Sequence, residues 1–400
     1  MSKTEEVSDL MNRFGESATL AMARKSRELQ AEGHAIINLS LGEPDFNTPD
    51  FIKEAAKEAI DQNYTRYMPV NGYQDLRETV AAKFKRDNGL HFNADQIVVS
   101  TGAKQSIVNA ILATVNPGDE VLLPAPYWVS YIEMVILAGA TPVLIESSIE
   151  DDYKITAEKL EKHITDKTRM VIFSSPCNPS GSVYSEEELR GWADVISKHP
   201  RILIVSDEIY EHINYTEKHF SIGTIPSVAD QTITVNGVSK AFAMTGWRIG
   251  FLGAPLWIAK ACTKLQGQFT SGASSIAQRA AKAAMEADPS VIDDMRKTFH
   301  SRMKIMEKMM QDIPGMVTNR PLGAFYMLPD VSSFFGKSAD GVTVHTADDM
   351  AEYLLTKAHV ASVSGAAFGA PECIRFSYAA SEDELIEAMK RVKVALGNLK

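Results

Sequence analysis

Four stretches of this 400-residue chain end an apolar run in side chains able to do chemistry. RILIV from Arg201 leads into Ser206-Asp207-Glu208-Ile209-Tyr210, and TITV from Thr232 leads into Asn236-Gly237-Val238-Ser239-Lys240. MVIF from Met170 leads into a turn containing Cys177-Asn178-Pro179-Ser180-Gly181, and QIVV from Gln96 leads into Ser100-Thr101-Gly102-Ala103-Lys104. Taken singly, each has an ordinary reading: an Asp after a strand commonly caps a helix, and a Lys there is commonly solvated. Taken together they suit one ligand. Thr101-Gly102-Ala103 at a helix start offers free N–H groups and the positive end of a dipole, a cup for phosphate. Ser239 and Arg248 can add a hydroxyl and a fixed charge to the same group. The Lys240 amine can form an imine with an aldehyde, and Asp207 can set an anion against a protonated ring nitrogen. An imine-forming Lys, an acid for a pyridinium and a phosphate cup are what pyridoxal phosphate requires.

The elements that must position these residues alternate. Residues 73–88 read as an amphipathic helix on Leu76, Val80 and Phe84, and residues 105–115 as a second, stopped by Pro117-Gly118. Short apolar runs at 96–100, 120–123, 169–174, 202–206, 232–236 and 249–253 read as strands. Helices between short apolar runs imply an α/β fold with a mainly parallel sheet covered on both faces. In such sheets ligands bind beyond the carboxyl ends of the strands, where these residues stand. After Gly253 the strand signal stops. A helix over 293–312 carries Met303, Met306 and Met310 at packing spacing. Strands follow at 323–328, 360–364 and 374–378, and Ser381 with Glu384 forms the capping box of a closing helix. The division expected is a large domain over 46–290, a smaller α+β domain over 291–400, and residues 1–45 packing onto the smaller one.

Composition narrows the partners. The chain is 45% apolar and 23% charged, with 41 basic against 51 acidic residues and a net charge of -10, which disfavours nucleic acid. No apolar run approaches the roughly 20 residues of a membrane span. The polar, acidic start and three widely spaced cysteines suit a cytoplasmic protein without a disulfide framework. The nine histidines are scattered without ligand spacing, so no metal site is expected.

The motifs resemble a known family. SKAFAMTGWRIG from Ser239 to Gly250 is similar to the cofactor-lysine signature of the fold-type I, class I aminotransferases, in the bacterial aspartate aminotransferase subgroup sometimes called I-beta. SDEIYEH from Ser206, NPSG from Asn178, PYWVSY from Pro126, LGEPDF from Leu41 and RFSY from Arg375 follow the same pattern in family order. The resemblance implies a seven-stranded large-domain sheet and a homodimer with shared active sites. It implies that Lys240 carries pyridoxal phosphate and moves the proton, and that Asp207 keeps the ring nitrogen protonated. Tyr210 and Asn178 would bond the ring oxygen, and Trp128 would stack on the ring. Main-chain N–H groups of Ala103 and Lys104, with Ser239, Arg248 and a cross-subunit Tyr67, would hold the phosphate. Arg375 would clamp the substrate α-carboxylate, with the Gly42 backbone close by. Cys177, where relatives often have asparagine, reads as a small buried filler.

For the amino donor, the region matching the cross-subunit arginine loop of other aspartate aminotransferases reads QFTSGAS from Gln268 and holds no arginine. In the resembled subgroup a lysine at the Gly-Ala-Lys-Gln turn binds the distal carboxylate instead, and Lys104 stands there. A cation at a helix N-terminus is unfavourable against the dipole, so its presence favours a purpose. The expectation is aspartate:2-oxoglutarate transamination by a ping-pong cycle. Alternatives are a broader range including aromatic, alanine or prephenate substrates, and a lyase of the same fold. Relatives active on prephenate carry a lysine before a Ser-Ala-Thr stretch; here Glu16 precedes Ser17-Ala18-Thr19. A cofactor-sensing DNA-binding regulator is disfavoured by the acidic charge and by the absence of a helix-turn-helix pattern ahead of Leu41.

Overall fold

The computed structural model of the protein describes residues 7–13, 15–216 and 218–400. Its centre is a seven-stranded sheet in the order Ile97–Ser100, Gly250–Gly253, Thr232–Gly237, Leu203–Asp207, Thr168–Ser174, Glu120–Pro124, Thr141–Ile145. All pairings are parallel except those of Gly250–Gly253, which runs antiparallel to both neighbours. The three strands Ile97–Ser100, Leu203–Asp207 and Thr232–Gly237 are buried at every position, as expected where helices cover both faces. The register then does chemistry's work: Ser174 pairs with Asp207 and Asp207 with Val235, so the polar residues after three strands emerge along one edge.

The helix expected over 73–88 runs Gln74–Lys83 and continues as a π turn, Phe84–Asn88, ended by Gly89 at φ 70°. The one expected over 105–115 spans Ala103–Thr114, starting two residues earlier at the phosphate-cup sequence. The long C-terminal helix spans Asp293–Gln311, with Met303, Met306 and Met310 fully buried as packing residues. The closing helix Glu382–Asn398 has its capping box, Ser381 Oγ accepting from Glu384 N at 3.3 Å and Glu384 Oε2 accepting from Ser381 N at 3.1 Å.

Three differences from the sequence reading are physical. Thr141–Ile145 lies outside the strands read from the sequence, because it is an edge strand with Pro142 and a single fully buried position. The run 360–364 is two strands in two sheets: Val360–Ala361 pairs with Ile37–Asn38, and Val363–Ser364 pairs with Ile374–Ser377. The run 323–328 shrinks to Tyr326–Met327, since Gly323 and the φ 56° of Ala324 bend the chain before it. The N-terminal segment meets the C-terminal part of the chain through the Ile37–Asn38 ladder and a Lys25–Glu352 ion pair at 2.5 Å.

Behind the end of the Leu203–Asp207 strand lies a buried polar cluster. The Lys83 ammonium donates to Asn88 Oδ1 at 2.7 Å and to Glu211. Glu208 accepts from Asn88 at 3.0 Å and Ser206 at 2.9 Å, and its carboxylate meets the His219 ring at 2.9 Å. Against the burial that opposes it, Lys83 and His212 hold the Glu211 carboxyl well below its usual range. Two of the nine histidines meet acids here: Asp87, Glu211 and His212 converge, as do Glu208, Glu211 and His219. The Lys83 ammonium already supplies the cation at that point.

Truncating Met306, which is fully buried on the long helix, leaves a void that its neighbours fill only in part. Met306→Ala is expected to cost about 2–4 kcal/mol of unfolding free energy, read as a lowered urea midpoint at unchanged slope.

Candidate active site

A cavity of about 260 Å³ opens at the carboxyl edge of the sheet. Asp207 ends its strand at the cavity floor, buried, with Oδ2 accepting from the Tyr131 hydroxyl at 2.6 Å and Oδ1 accepting from the Ile209 amide at 3.3 Å. Burial pushes the Asp207 carboxyl up to about 6, and the Tyr131 hydrogen bond opposes it. Lys240, on the loop after the next strand, donates from Nζ to the Gly42 carbonyl at 2.5 Å. Burial lowers its ammonium to about 8; Glu43 works against that shift and the Arg248 and Arg375 charges add to it. A nucleophilic amine near neutrality and a carboxyl held dry are the two perturbed groups that mark a reactive site.

The phosphate cup is built from two elements. The helix Ala103–Thr114 begins without a side-chain cap, so its first N–H groups lack a partner from within the helix. Arg248, in the left-handed region at φ 59°, lays its guanidinium over this turn, with Nη1 donating to the Thr245 carbonyl at 2.9 Å. The position before the helix has to be glycine: Gly102 has φ 83°, and a Cβ there would collide with the Arg248 guanidinium. Ser239 lines the same cavity.

On the opposite wall Arg375 is 2% exposed. Its Nη1 donates to Asn178 Oδ1 at 2.9 Å and its Nη2 to the Ser40 carbonyl at 2.5 Å, while Nε is buried without a partner. The guanidinium is packed between the Tyr326 and Phe368 rings, 4.6 and 4.8 Å from their centroids. Tyr326 exchanges a hydrogen bond with Tyr210 at 2.8 Å. Gly42 admits it: a Cβ at that position would lie 2.5 Å from the Tyr326 hydroxyl. Lys104 faces the cavity with its ammonium 5.0 Å from the Trp128 ring centroid, its pKa lowered by burial and by Arg248. Trp128 meets Tyr131 edge-on at 5.4 Å.

Of the residues singled out from the sequence, Gly42, Ala103, Lys104, Trp128, Asn178, Asp207, Tyr210, Ser239, Lys240, Arg248 and Arg375 all line this cavity. Tyr67 does not; it is 99% exposed. Cys177 is buried, with burial raising its thiol, and its Sγ lies 3.6 Å from the Pro126 carbonyl. Sequence reasoning gave no role to Tyr131, Tyr326 or Ser40, nor to Ser17, Thr19 and Leu20, which also line the cavity.

Residues 34–392, which carry the buried amine, the dry carboxyl, the anion cup and the buried arginine, match a family model described as "Aminotransferase class I and II". The chain belongs to that family. It is 46% identical to a bifunctional aspartate aminotransferase and glutamate/aspartate-prephenate aminotransferase of Petunia hybrida, over 100% of this chain and 85% of the relative. It is 45% identical to a probable aspartate/prephenate aminotransferase of Rhizobium leguminosarum bv. phaseoli, over 98% of this chain and 99% of the relative. Among solved structures, the aspartate aminotransferase of Rhizobium meliloti superposes with a TM-score of 0.96 at 39% identity, covering 99% of this chain and all of that one. The aspartate aminotransferase of Thermus thermophilus with maleate superposes with a TM-score of 0.92 at 38% identity, covering 98% of this chain and all of that one. Among the described residues of this aminotransferase no helix is long and apolar enough to cross a membrane.

A carboxyl whose folded pKa of about 6 exceeds the usual unfolded value binds its proton more tightly in the folded state. Stability of the ligand-free protein therefore falls as pH rises from about 4 through 6, by on the order of 2–3 kcal/mol. Asp207→Asn removes that loss. The ligand-free variant is expected to unfold at higher urea than the wild type at pH 7.5, with the gap narrowing toward pH 5.

Proposed function

We propose that the chain is a pyridoxal-phosphate-dependent aspartate:2-oxoglutarate aminotransferase, working by a ping-pong cycle as a cytoplasmic homodimer. The observation that carries this reading is the convergence of Lys240, Asp207, the Arg248-covered helix start and Arg375 on one cavity. The residues fit the cofactor: an uncapped helix N-terminus, a glycine cradle under a guanidinium, and a buried acid at the far end. When bound, pyridoxal phosphate supplies an aldehyde that amines can capture and a ring that withdraws electrons from the substrate Cα.

The protein's own side chains do the rest. Ser239, Arg248 and the Ala103 and Lys104 amides would hold the phosphate. Asp207, oriented by Tyr131, would receive the ring N–H⁺, Tyr210 and Asn178 would bond the ring oxygen, and Trp128 would stack on the ring. Lys240 Nζ, whose ammonium burial lowers to about 8, would be the base that takes the proton from the donor Cα. Arg375, a guanidinium lining the cavity, would fix the α-carboxylate. Tyr67, fully exposed on its own subunit, is assigned to the phosphate of the partner's site; exposed Phe269 and Trp257 suit the same interface. We place the working division of the chain near residues 45 and 290, with the seven-stranded sheet between them and the segment 1–45 paired to the C-terminal unit.

Specificity for a dicarboxylate rests on Lys104, whose ammonium meets an indole face in the cavity rather than a carboxylate. The relatives named for aspartate, and the neighbour solved with maleate, a dicarboxylate, support the same choice. A second reading adds prephenate, favoured by relatives with that name. Glu16, which stands where relatives active on prephenate carry the lysine and pairs with Arg24 at 3.1 Å, stands against it. Turnover of prephenate against aspartate by the wild type decides between them.

Two outcomes test the proposal. Titrating the yellow holoenzyme with L-aspartate should bleach its visible band, and 2-oxoglutarate should restore it; a band that aspartate leaves unmoved discards the substrate. Lys104→Ser should raise the KM for aspartate by roughly 10- to 150-fold, the worth of a charged hydrogen bond in a dry site, while sparing alanine and tyrosine. Equal losses for all three donors would remove Lys104 from specificity.

A further inference from the structure

Both key cations of the site take a carbonyl from one short segment. Ser40 O accepts from Arg375 and Gly42 O accepts from Lys240, while the neighbouring Glu43 carboxylate accepts from Thr245 Oγ1 at 3.0 Å in the cofactor-lysine loop. Nothing in residues 40–45 is regular secondary structure, so this placement has to come from anchors. At the N-terminal end, Asn38 Oδ1 accepts from the Ser40 amide at 3.0 Å and hydroxyl at 2.7 Å, and Leu39 N donates to the Ala361 carbonyl at 2.9 Å. At the far end stands Asp45. Its two carboxylate oxygens receive Arg302 Nη1 at 2.7 Å and Nη2 at 2.8 Å, a paired fork. Arg302 projects from the helix Asp293–Gln311, 8% exposed, its guanidinium 5.5 Å from the Phe46 ring centroid and 5.7 Å from that of Phe299. Beyond it, Thr48 Oγ1 donates to the Ala243 carbonyl at 2.7 Å and accepts from Trp247 Nε1 at 3.1 Å, tying the same strap to the cofactor-lysine loop.

We propose that Arg302 is a positioning residue: through its fork on Asp45 it holds the 40–43 carbonyls in register with Arg375 and Lys240. A guanidinium fork fixes direction as well as distance, and its aromatic clamp leaves it one orientation. The pair joins the C-terminal helix to the strap that crosses the cavity, so the helix sets where the α-carboxylate and the amine are received. A misplacement of about 1 Å in such a strap costs up to about 100-fold although no reacting atom is touched. The inference rests on the assignment of Lys240 and Arg375 made above.

The test uses holoenzyme carrying Arg302→Lys, Arg302→Met or Asp45→Asn. Because the α-carboxylate is common to every donor, KM should rise for aspartate and alanine alike, by roughly 10- to 100-fold. The pH midpoint of the visible band of the Lys240-linked cofactor should move by roughly half a unit or more, since Gly42 and Glu43 shape the amine's surroundings. Arg302→Lys, which keeps the charge without the fork, should lie between wild type and Arg302→Met. The double variant Asp45→Asn/Arg302→Met should be no worse than the poorer single one. Folded, cofactor-loaded variants with wild-type KM and band midpoint overturn the inference, even if their thermal midpoints drop, because that is the mark of a merely structural pair. If Arg302→Met does not fold, Arg302→Lys and Asp45→Asn read the same quantities. A wild type without the visible band overturns the site assignment and the inference together; a normal wild-type band with unmoved variants overturns the inference alone.

Discussion

Keeping an acid and an amine out of water in one small cavity is the demand to which the surrounding structure answers. Asp207 and Lys240 each lose hydration, and each is met by a dipole, a phenol for the carboxylate and a backbone carbonyl for the ammonium. Neutral partners return less than a salt bridge would, so both groups stay poised rather than locked. The sheet supplies the rigid rim that makes this tolerable. Its aligned strand ends deliver Ser174, Asp207 and the Lys240 loop side by side, with little freedom to relax around the charges. Dry surroundings also make every later electrostatic contact with a ligand count for more.

Much of the fold was legible because it is written in local patterns. Buried central strands such as Leu203–Asp207 announce themselves as unbroken apolar runs, and Leu76, Val80 and Phe84 mark their helix by spacing. What escaped were elements whose identity depends on a distant partner. Thr141–Ile145 is a strand because Glu120–Pro124 lends it hydrogen bonds, and its own proline and exposure argue otherwise. The run at 360–364 looks like one strand and serves two sheets, a division decided by Ile37–Asn38 on one side and Ile374–Ser377 on the other.

The site divides in the same way. Lys240, Asp207, Asn178 and the Gly102 turn could be picked out by position after apolar runs, Arg248 as a charge for the same phosphate, and the motif resemblance supplied Trp128 and Arg375. Their hydrogen-bond partners could not be. Tyr131 and Tyr326 sit in apolar contexts where an aromatic reads as core, and only the folded chain brings their hydroxyls to Asp207 and Tyr210. Ser40 acts through a backbone carbonyl, which leaves no side-chain signature at all. Tyr67 is the converse case: it carries a motif signal, yet its own subunit's cavity does not include it.

The ionic cluster behind the Asp207–Tyr210 turn bears on how such an enzyme can change. Asp207 and Tyr210 face the cavity, while Glu208 and Glu211 turn away into contact with Lys83, Asn88 and His219. Deleting one member of a buried set strands its partners and costs about 3–5 kcal/mol, a large share of a domain's stability, whereas exchanging the whole set for well-packed apolar residues can be neutral. Single steps through this turn therefore cross a valley that a coordinated exchange would avoid. Divergence is channelled toward cavity-lining residues outside that set, such as Ser17, Thr19 and Leu20, which no buried ionic network holds. One wall of the pocket is held as an heirloom, and the other is free to adapt.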